Sequence, residues 1–161
     1  MFTEQTRALA EQVITAYARK NLILATAESC TGGLIAGCLT AVPGASDVLS
    51  HGFITYANAA KSKLLGVPED QLKEHGAVSE VVARTMAEGA IAAGDADVAV
   101  SVTGIAGPGG GSPDKPVGLV HIAVARVAAE TLHERHIFAG DRDAVRVQTI
   151  EAALRLLLLA V

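Results

Sequence analysis

Apolar positions along the chain alternate between helical spacing and short, nearly continuous runs. Leu9, Val13, Ile14 and Tyr17 recur at helical spacing and predict a helix over Thr3 to Lys20, with Asn21 as its stop. Leu22-Ile23-Leu24-Ala25 follows as a first buried strand. Small residues from Thr26 to Gly33 form a turn into Leu34-Ile35-Ala36-Gly37-Cys38-Leu39, which is again helical and is broken by Val42-Pro43-Gly44-Ala45-Ser46. Val48 to Tyr56 reads as a second strand, in which Gly52 marks a bulge or a close backbone approach. Ala57 to Leu65 predicts a short helix, and Gly66 to Asp70 turns into another that ends at His75-Gly76. A longer helix starts at Ser79-Glu80 and stops at Gly94. Ala96 to Val102, Val117 to Val127 and Thr131 to Phe138 read as three further strands. Asp141 caps a last helix that runs to the C-terminus. This order predicts an α/β protein, with the last strands in antiparallel pairs on a mainly parallel core.

Composition narrows the picture. A length of 161 residues suits one domain. Half the residues are apolar but only 3% aromatic, so Ala, Val, Ile and Leu must build the core. The formal charge of −4, without a basic stripe, argues against a nucleic-acid partner. Only two cysteines occur, Cys30 and Cys38, both in one turn and helix, which implies no disulfide framework and fits a reducing cytoplasm. The start is acidic and polar, unlike a signal peptide, and no apolar run is long enough for a membrane span.

The turn Thr26-Ala27-Glu28-Ser29-Cys30-Thr31-Gly32-Gly33 stands at the carboxyl end of a strand, where open α/β sheets place their ligands. Unpaired amides there can hold a phosphate or an oxyanion, and Ser29 stands where a nucleophile is useful. The same residue types also serve as ordinary caps and turn formers. Serine needs a neighbour to take its proton, and His51, Lys61, Lys63, His75 and His121 are all candidates by residue type. Lys61 qualifies only if burial lowers its pKa; lysines on helices are usually solvated. Cys30 is the rival nucleophile, or a small buried apolar residue. Glu28 is either an orienting group or a charge that favours a helix start. Arg142 and Arg146, four apart, share a helix face that an anion would relieve of like-charge repulsion, unless Asp143 already neutralises them. The loop from Thr103 to Pro113 either links two strands or forms an anion nest around Gly104 and Gly107. No metal site is expected: His133 and His136 should face opposite sides of a strand, and His75 and His121 lack partners at chelating spacing.

Taken in order, several segments resemble one family. They are Thr26 to Gly33, Thr55-Tyr56 with Asn58 and Lys61, His75 to Glu80, Thr103 to Pro108, Lys115 to Gly118, and Gly140-Asp141-Arg142 with Val145-Arg146. The chain resembles the CinA C-terminal domain family, the nicotinamide-nucleotide amidohydrolases, in a form without the extra N-terminal domain that many members carry. The resemblance implies a three-layer α/β/α sandwich with a mixed, mainly parallel sheet of about five strands. It implies hydrolysis of the carboxamide of nicotinamide mononucleotide to the acid and ammonia, in pyridine-nucleotide recycling, without a cofactor. In that reading Ser29 attacks, Lys61 takes its proton, amides around Cys30 and Thr31 hold the oxyanion, and Tyr56 and Asn58 orient Lys61 or the substrate. Gly32, Gly33, Thr103, Gly104, Gly107, Arg142 and Arg146 complete the substrate site. The alternative is a nucleotide-binding regulatory module that has lost catalysis. A homodimer is expected as well, because Leu156 to Leu159 leave no polar face at the end of the last helix and a second subunit is the simplest cover.

Overall fold

The computed structural model describes residues 2–161. Six helices and five strands follow in the order α1 (Glu4–Arg19), β1 (Leu24–Glu28), α2 (Leu34–Thr40), β2 (Leu49–Ile54), α3 (Asn58–Leu65), α4 (Glu69–His75), α5 (Glu80–Gly94), β3 (Val98–Gly104), β4 (Leu119–Arg126), β5 (Leu132–Ile137) and α6 (Arg142–Leu159). A 3₁₀ turn, Ala45–Asp47, precedes β2. The strands form one mixed sheet in the order β2-β1-β3-β4-β5. β2, β1 and β3 are parallel, and β3, β4 and β5 run as an antiparallel meander.

Alternation along the strands builds two unequal faces. Val98, Val100 and Val102 of β3 and Val120, Ile122 and Val124 of β4 join the large core cluster under α1, α2 and α6. The opposite face carries Ala99, Ala123 and Ala125, which meet the small residues Ala83, Ala87 and Ala90 of α5. Small residues on both sides let α5 lie close to the sheet, and α3 and α4 pack beyond it. The three layers are therefore α1/α2/α6, sheet, and α5 with α3 and α4.

One close approach fixes α3. A Cβ on Gly89 of α5 would stand 1.9 Å from the Leu65 carbonyl oxygen, so only glycine admits the end of α3 at that depth. Gly52 behaves as its position in a strand suggests: a Cβ there would reach 3.2 Å from the Ala36 side chain, and the β1–β2 register shifts one step away, between Leu24 and Ala25.

Several boundaries differ from the sequence expectation. β1 begins at Leu24 rather than Leu22, because the Leu22 N–H goes to the Tyr17 carbonyl and the Ile23 N–H to the Asp97 carboxylate. β3 begins at Val98 and runs on to Gly104, since β4 continues to pair it there. Gly94 stays within α5, and Asp95, with φ 46°, is the left-handed residue that ends it. The leucines of α6 correct a larger expectation. Leu154, Leu156 and Leu157 are buried within the chain, Leu158 packs against the same cluster, and only Leu159 stands out, 72% exposed. α1 covers the side of α6 that the sequence left for a second subunit.

Candidate active site

β1 delivers Ser29 to the carboxyl edge of the sheet. The Ser29 N–H donates to the Val102 carbonyl, which ties the turn to β3. Gly32 and Gly33 then reverse the chain at φ 62° and 97°, and α2 begins. Gly33 is the N-cap but has no side chain with which to cap the helix. Glu28 supplies that function from five residues upstream. Its buried carboxylate accepts the N–H groups of Gly33, Ile35 and Ala36 at 2.9–3.0 Å and the Thr31 hydroxyl at 2.6 Å. Amides at the head of α2 are thus occupied by protein and not open to a ligand. The N–H groups of Cys30 and Thr31 are taken by no carbonyl or carboxylate among the described residues.

Lys61 arrives from the second turn of α3. It is 1% exposed, and its Nζ lies 3.1 Å from Ser29 Oγ, 2.7 Å from the Thr55 carbonyl oxygen and 3.4 Å from that of Tyr56. No carboxylate stands within salt-bridge distance of it among the described residues. Burial pushes its pKa below the ordinary lysine value. Nζ donates to the two carbonyls and to Ser29 Oγ; in its neutral form the amine would keep two N–H groups for the carbonyls and turn a lone pair to the Ser29 O–H.

The other candidate bases lie elsewhere. His51 is exposed on β2 and stacks on Phe53. Lys63 is exposed, and His75 stands beside Glu74. His121 meets His133, with Nδ1 3.0 Å from Nε2, a pairing that the sequence spacing did not reveal. Burial and the His133 and Arg135 charges lower the His121 pKa to about 4. Glu80 reaches the far nitrogen of His133 at 3.6 Å, and no group of three potential ligands forms among the described residues. The rival nucleophile Cys30 is buried in the core cluster, and desolvation raises its thiol pKa to about 11, so it is protonated at neutral pH.

A cleft of about 260 Å³ opens over Ser29, lined by Cys30, Tyr56, Arg142 and the loop from Gly104 to Gly110. Arg142 donates to the Gly107 carbonyl at 2.8 Å and to the Tyr56 hydroxyl at 3.0 Å. It has no carboxylate partner among the described residues, so a cation faces the cleft uncompensated. Gly107, at φ 83°, needs to be glycine for a second reason, since a Cβ would collide with Val117.

Four expected site residues sit differently. Arg146 pairs with Asp143 and donates to the Thr31 carbonyl at 3.1 Å, so it props the turn rather than lining the cleft. Thr103 is buried and donates to the Ala77 carbonyl. The Thr31 side chain is buried on Glu28, and Thr31 lies beneath the residues that line the cleft. Asn58 lines a separate cleft with Ser62, Glu69 and Lys73 and does not reach Lys61. Tyr56 presents its carbonyl to Lys61 and its hydroxyl to Arg142, so it spans both halves of the site. Ile105 and Gly110, inside the glycine-rich loop but not singled out from the sequence, also line the cleft.

These features define an α/β/α sandwich with a buried serine–lysine pair at the carboxyl edge of its parallel core. The model of the CinA C-terminal domain matches residues 6–161, and the chain belongs to that family. It is 48% identical over 149 residues to nicotinamide-nucleotide amidohydrolase PncC of Escherichia coli (strain K12), covering 92% of this chain and 90% of that protein. It is 52% identical over 160 residues to a CinA-like protein of Anaeromyxobacter dehalogenans (strain 2CP-1), covering 99% of this chain. The chain spans 39% of the length of that relative, and 25–39% of several other curated relatives that it matches. The crystal structure of the competence/damage inducible protein CihA from Agrobacterium tumefaciens superposes with a TM-score of 0.97 at 46% identity, over 99% of this chain and 97% of that one.

Proposed function

We propose that the protein hydrolyses the carboxamide of nicotinamide mononucleotide, giving nicotinate mononucleotide and ammonia. The observation that carries this reading is the buried, carboxylate-free Lys61 amine 3.1 Å from Ser29 Oγ. In the proposed sequence Lys61 takes the Ser29 proton as Oγ bonds to the carboxamide carbon. The Cys30 and Thr31 amides hold the oxyanion, where each well-placed donor contributes about 10²–10³ in rate. Collapse breaks the C–N bond, and ammonia leaves with the proton from Lys61. Water then attacks the acyl-enzyme, Lys61 takes its proton, and that proton returns to Ser29 Oγ as the acid departs. Arg142 and the amides near Gly107 receive the 5′-phosphate, a role that suits an unpaired guanidinium. The name of the Escherichia coli relative supports the substrate.

The wider reading places residues 1–161 as one catalytic unit of pyridine-nucleotide recycling in the cytoplasm, where two unpaired thiols suit a reducing milieu. It also retains a homodimer, for which α6 offers the exposed Val147 and Leu159. The test of function is product analysis with the purified chain. Nicotinamide mononucleotide should yield ammonia and the acid in equal amounts. Nucleotide binding without either product would instead describe a regulatory module.

A further inference from the structure

We infer that Glu28 is a positioning residue for catalysis, holding the turn that carries Ser29 so that the Cys30 and Thr31 amides face the reacting carbonyl. This inference rests on the amide hydrolysis proposed above. α2 is the unusual feature from which it starts. Its N-cap, Gly33, is left-handed and has no side chain to cap the helix. A polar N-cap side chain would ordinarily satisfy one of the first amides. Here one carboxylate, 1% exposed, reaches forward to residues three, five, seven and eight positions along. Oε2 accepts the Thr31 hydroxyl and the N–H groups of Gly33 and Ile35; Oε1 accepts the Ala36 N–H and, at 3.4 Å, the Thr26 hydroxyl. No cation stands within salt-bridge distance of it among the described residues, so backbone dipoles at the start of the helix offset its charge.

Two consequences follow for the chemistry. Because Glu28 fills the head of α2, the open donors of this turn are displaced upstream to Cys30 and Thr31, directly beside Ser29. The same carboxylate grips the turn on both sides of those donors: it is itself the residue before Ser29, and it holds Thr31 and Gly33 just after. Its 2.6 Å bond to the Thr31 hydroxyl holds Thr31 by that residue's own side chain, while Arg146 holds the Thr31 carbonyl. Oxyanion stabilisation depends on donors fixed in advance of the reaction, and so on whatever fixes them.

The test compares the full-length wild type with Glu28→Gln, Thr31→Val and Thr31→Ser. Gln keeps the size of Glu28 but turns one acceptor into a donor facing the Ala36 N–H. Val keeps the shape of Thr31 without its hydroxyl, and Ser restores that hydroxyl. Turnover of nicotinamide mononucleotide and the rate of Ser29 labelling by a fluorophosphonate are both measured. In the labelling, Oγ bonds to phosphorus, fluoride leaves, and Lys61 takes the proton. The expected result is a fall in kcat of about 10²-fold for Glu28→Gln, on the scale of one lost oxyanion donor, with KM within about threefold. Thr31→Val should lose about tenfold in kcat by the same reasoning, and Thr31→Ser should recover most of it. Labelling should slow in parallel in each variant. Unchanged kcat in Glu28→Gln and Thr31→Val, a loss confined to KM, or no recovery in Thr31→Ser would overturn the inference. If Glu28→Gln fails to fold, the Thr31 pair decides. Should the wild type label at Ser29 but not turn over the nucleotide, the substrate assignment fails, and the labelling rates still decide the role of Glu28.

Discussion

At the scale of single residues, the site turns on the state of Lys61. Its folded pKa lies below the ordinary 10.5 because burial penalises the ammonium form. Activity should therefore rise with pH through that lowered pKa and level off above it, as the neutral amine becomes available. Stability carries the same sign. Between the folded pKa and 10.5 the unfolded chain binds a proton that the native state does not, so stability rises with pH across that window. Wild type should gain on Lys61→Met there by up to about 1.4 kcal/mol per pH unit in urea unfolding; a flat difference would mean that Lys61 is charged when folded. Arg142 and Arg146 should also separate. Arg142→Ala should raise KM for the nucleotide at least tenfold, as expected for the loss of a charge-assisted contact, and should change KM for the riboside little. Arg146→Ala should lower kcat and stability instead, because it supports Thr31; equal KM effects from both would contradict the assignment. The serine and its turn were legible in the sequence, because a strand, a small-residue turn and a helix have a readable pattern. The base was not, since spacing cannot tell which of five candidates folds onto Ser29. Arg142 and Arg146 looked equivalent because both lie on one helix face, and only the Asp143 contact and the Thr31 carbonyl distinguish them.

At the scale of elements, the sequence located every helix and strand to within a few residues. The errors fell where backbone donors found partners that no local pattern encodes, as at Leu22 and Ile23, whose N–H groups turn to Tyr17 and Asp97. A glycine inside a helix pattern is likewise opaque. Gly89 reads as a weak helix former, yet it sets the depth at which α3 seats, and α3 carries Lys61 four residues before Leu65. Gly89→Ala gains about 1 kcal/mol in helix propensity, but its Cβ would overlap the Leu65 carbonyl and force α3 outward. Overpacking of this kind costs about 1–3 kcal/mol, so a net fall in the melting temperature is expected together with reduced kcat. A variant as stable and as active as wild type would show that α3 is not held by this contact.

At the scale of the whole molecule, packing within the chain removes most of the reason for a partner. Because Leu154, Leu156 and Leu157 are buried in the cluster that α6 shares with α1 and the sheet, the end of α6 is a core element and not an open seam. The sequence could not reveal this, since periodicity shows that a helix is apolar all round but not which neighbour covers it. If a dimer forms, it must use exposed side chains such as Leu159. Leu159→Glu should then halve the mass seen by light scattering while leaving the fold intact; a mass unchanged by that substitution would exclude this surface. The three layers together serve one end, which is to bring a strand terminus, a buried amine and an unpaired guanidinium to one cleft. Ammonia release from nicotinamide mononucleotide by wild type and by Ser29→Ala tests that account most directly. Steady release by the wild type is predicted, with none above background from Ser29→Ala, which should still bind the nucleotide. Ammonia from Ser29→Ala at a rate near that of the wild type would contradict it.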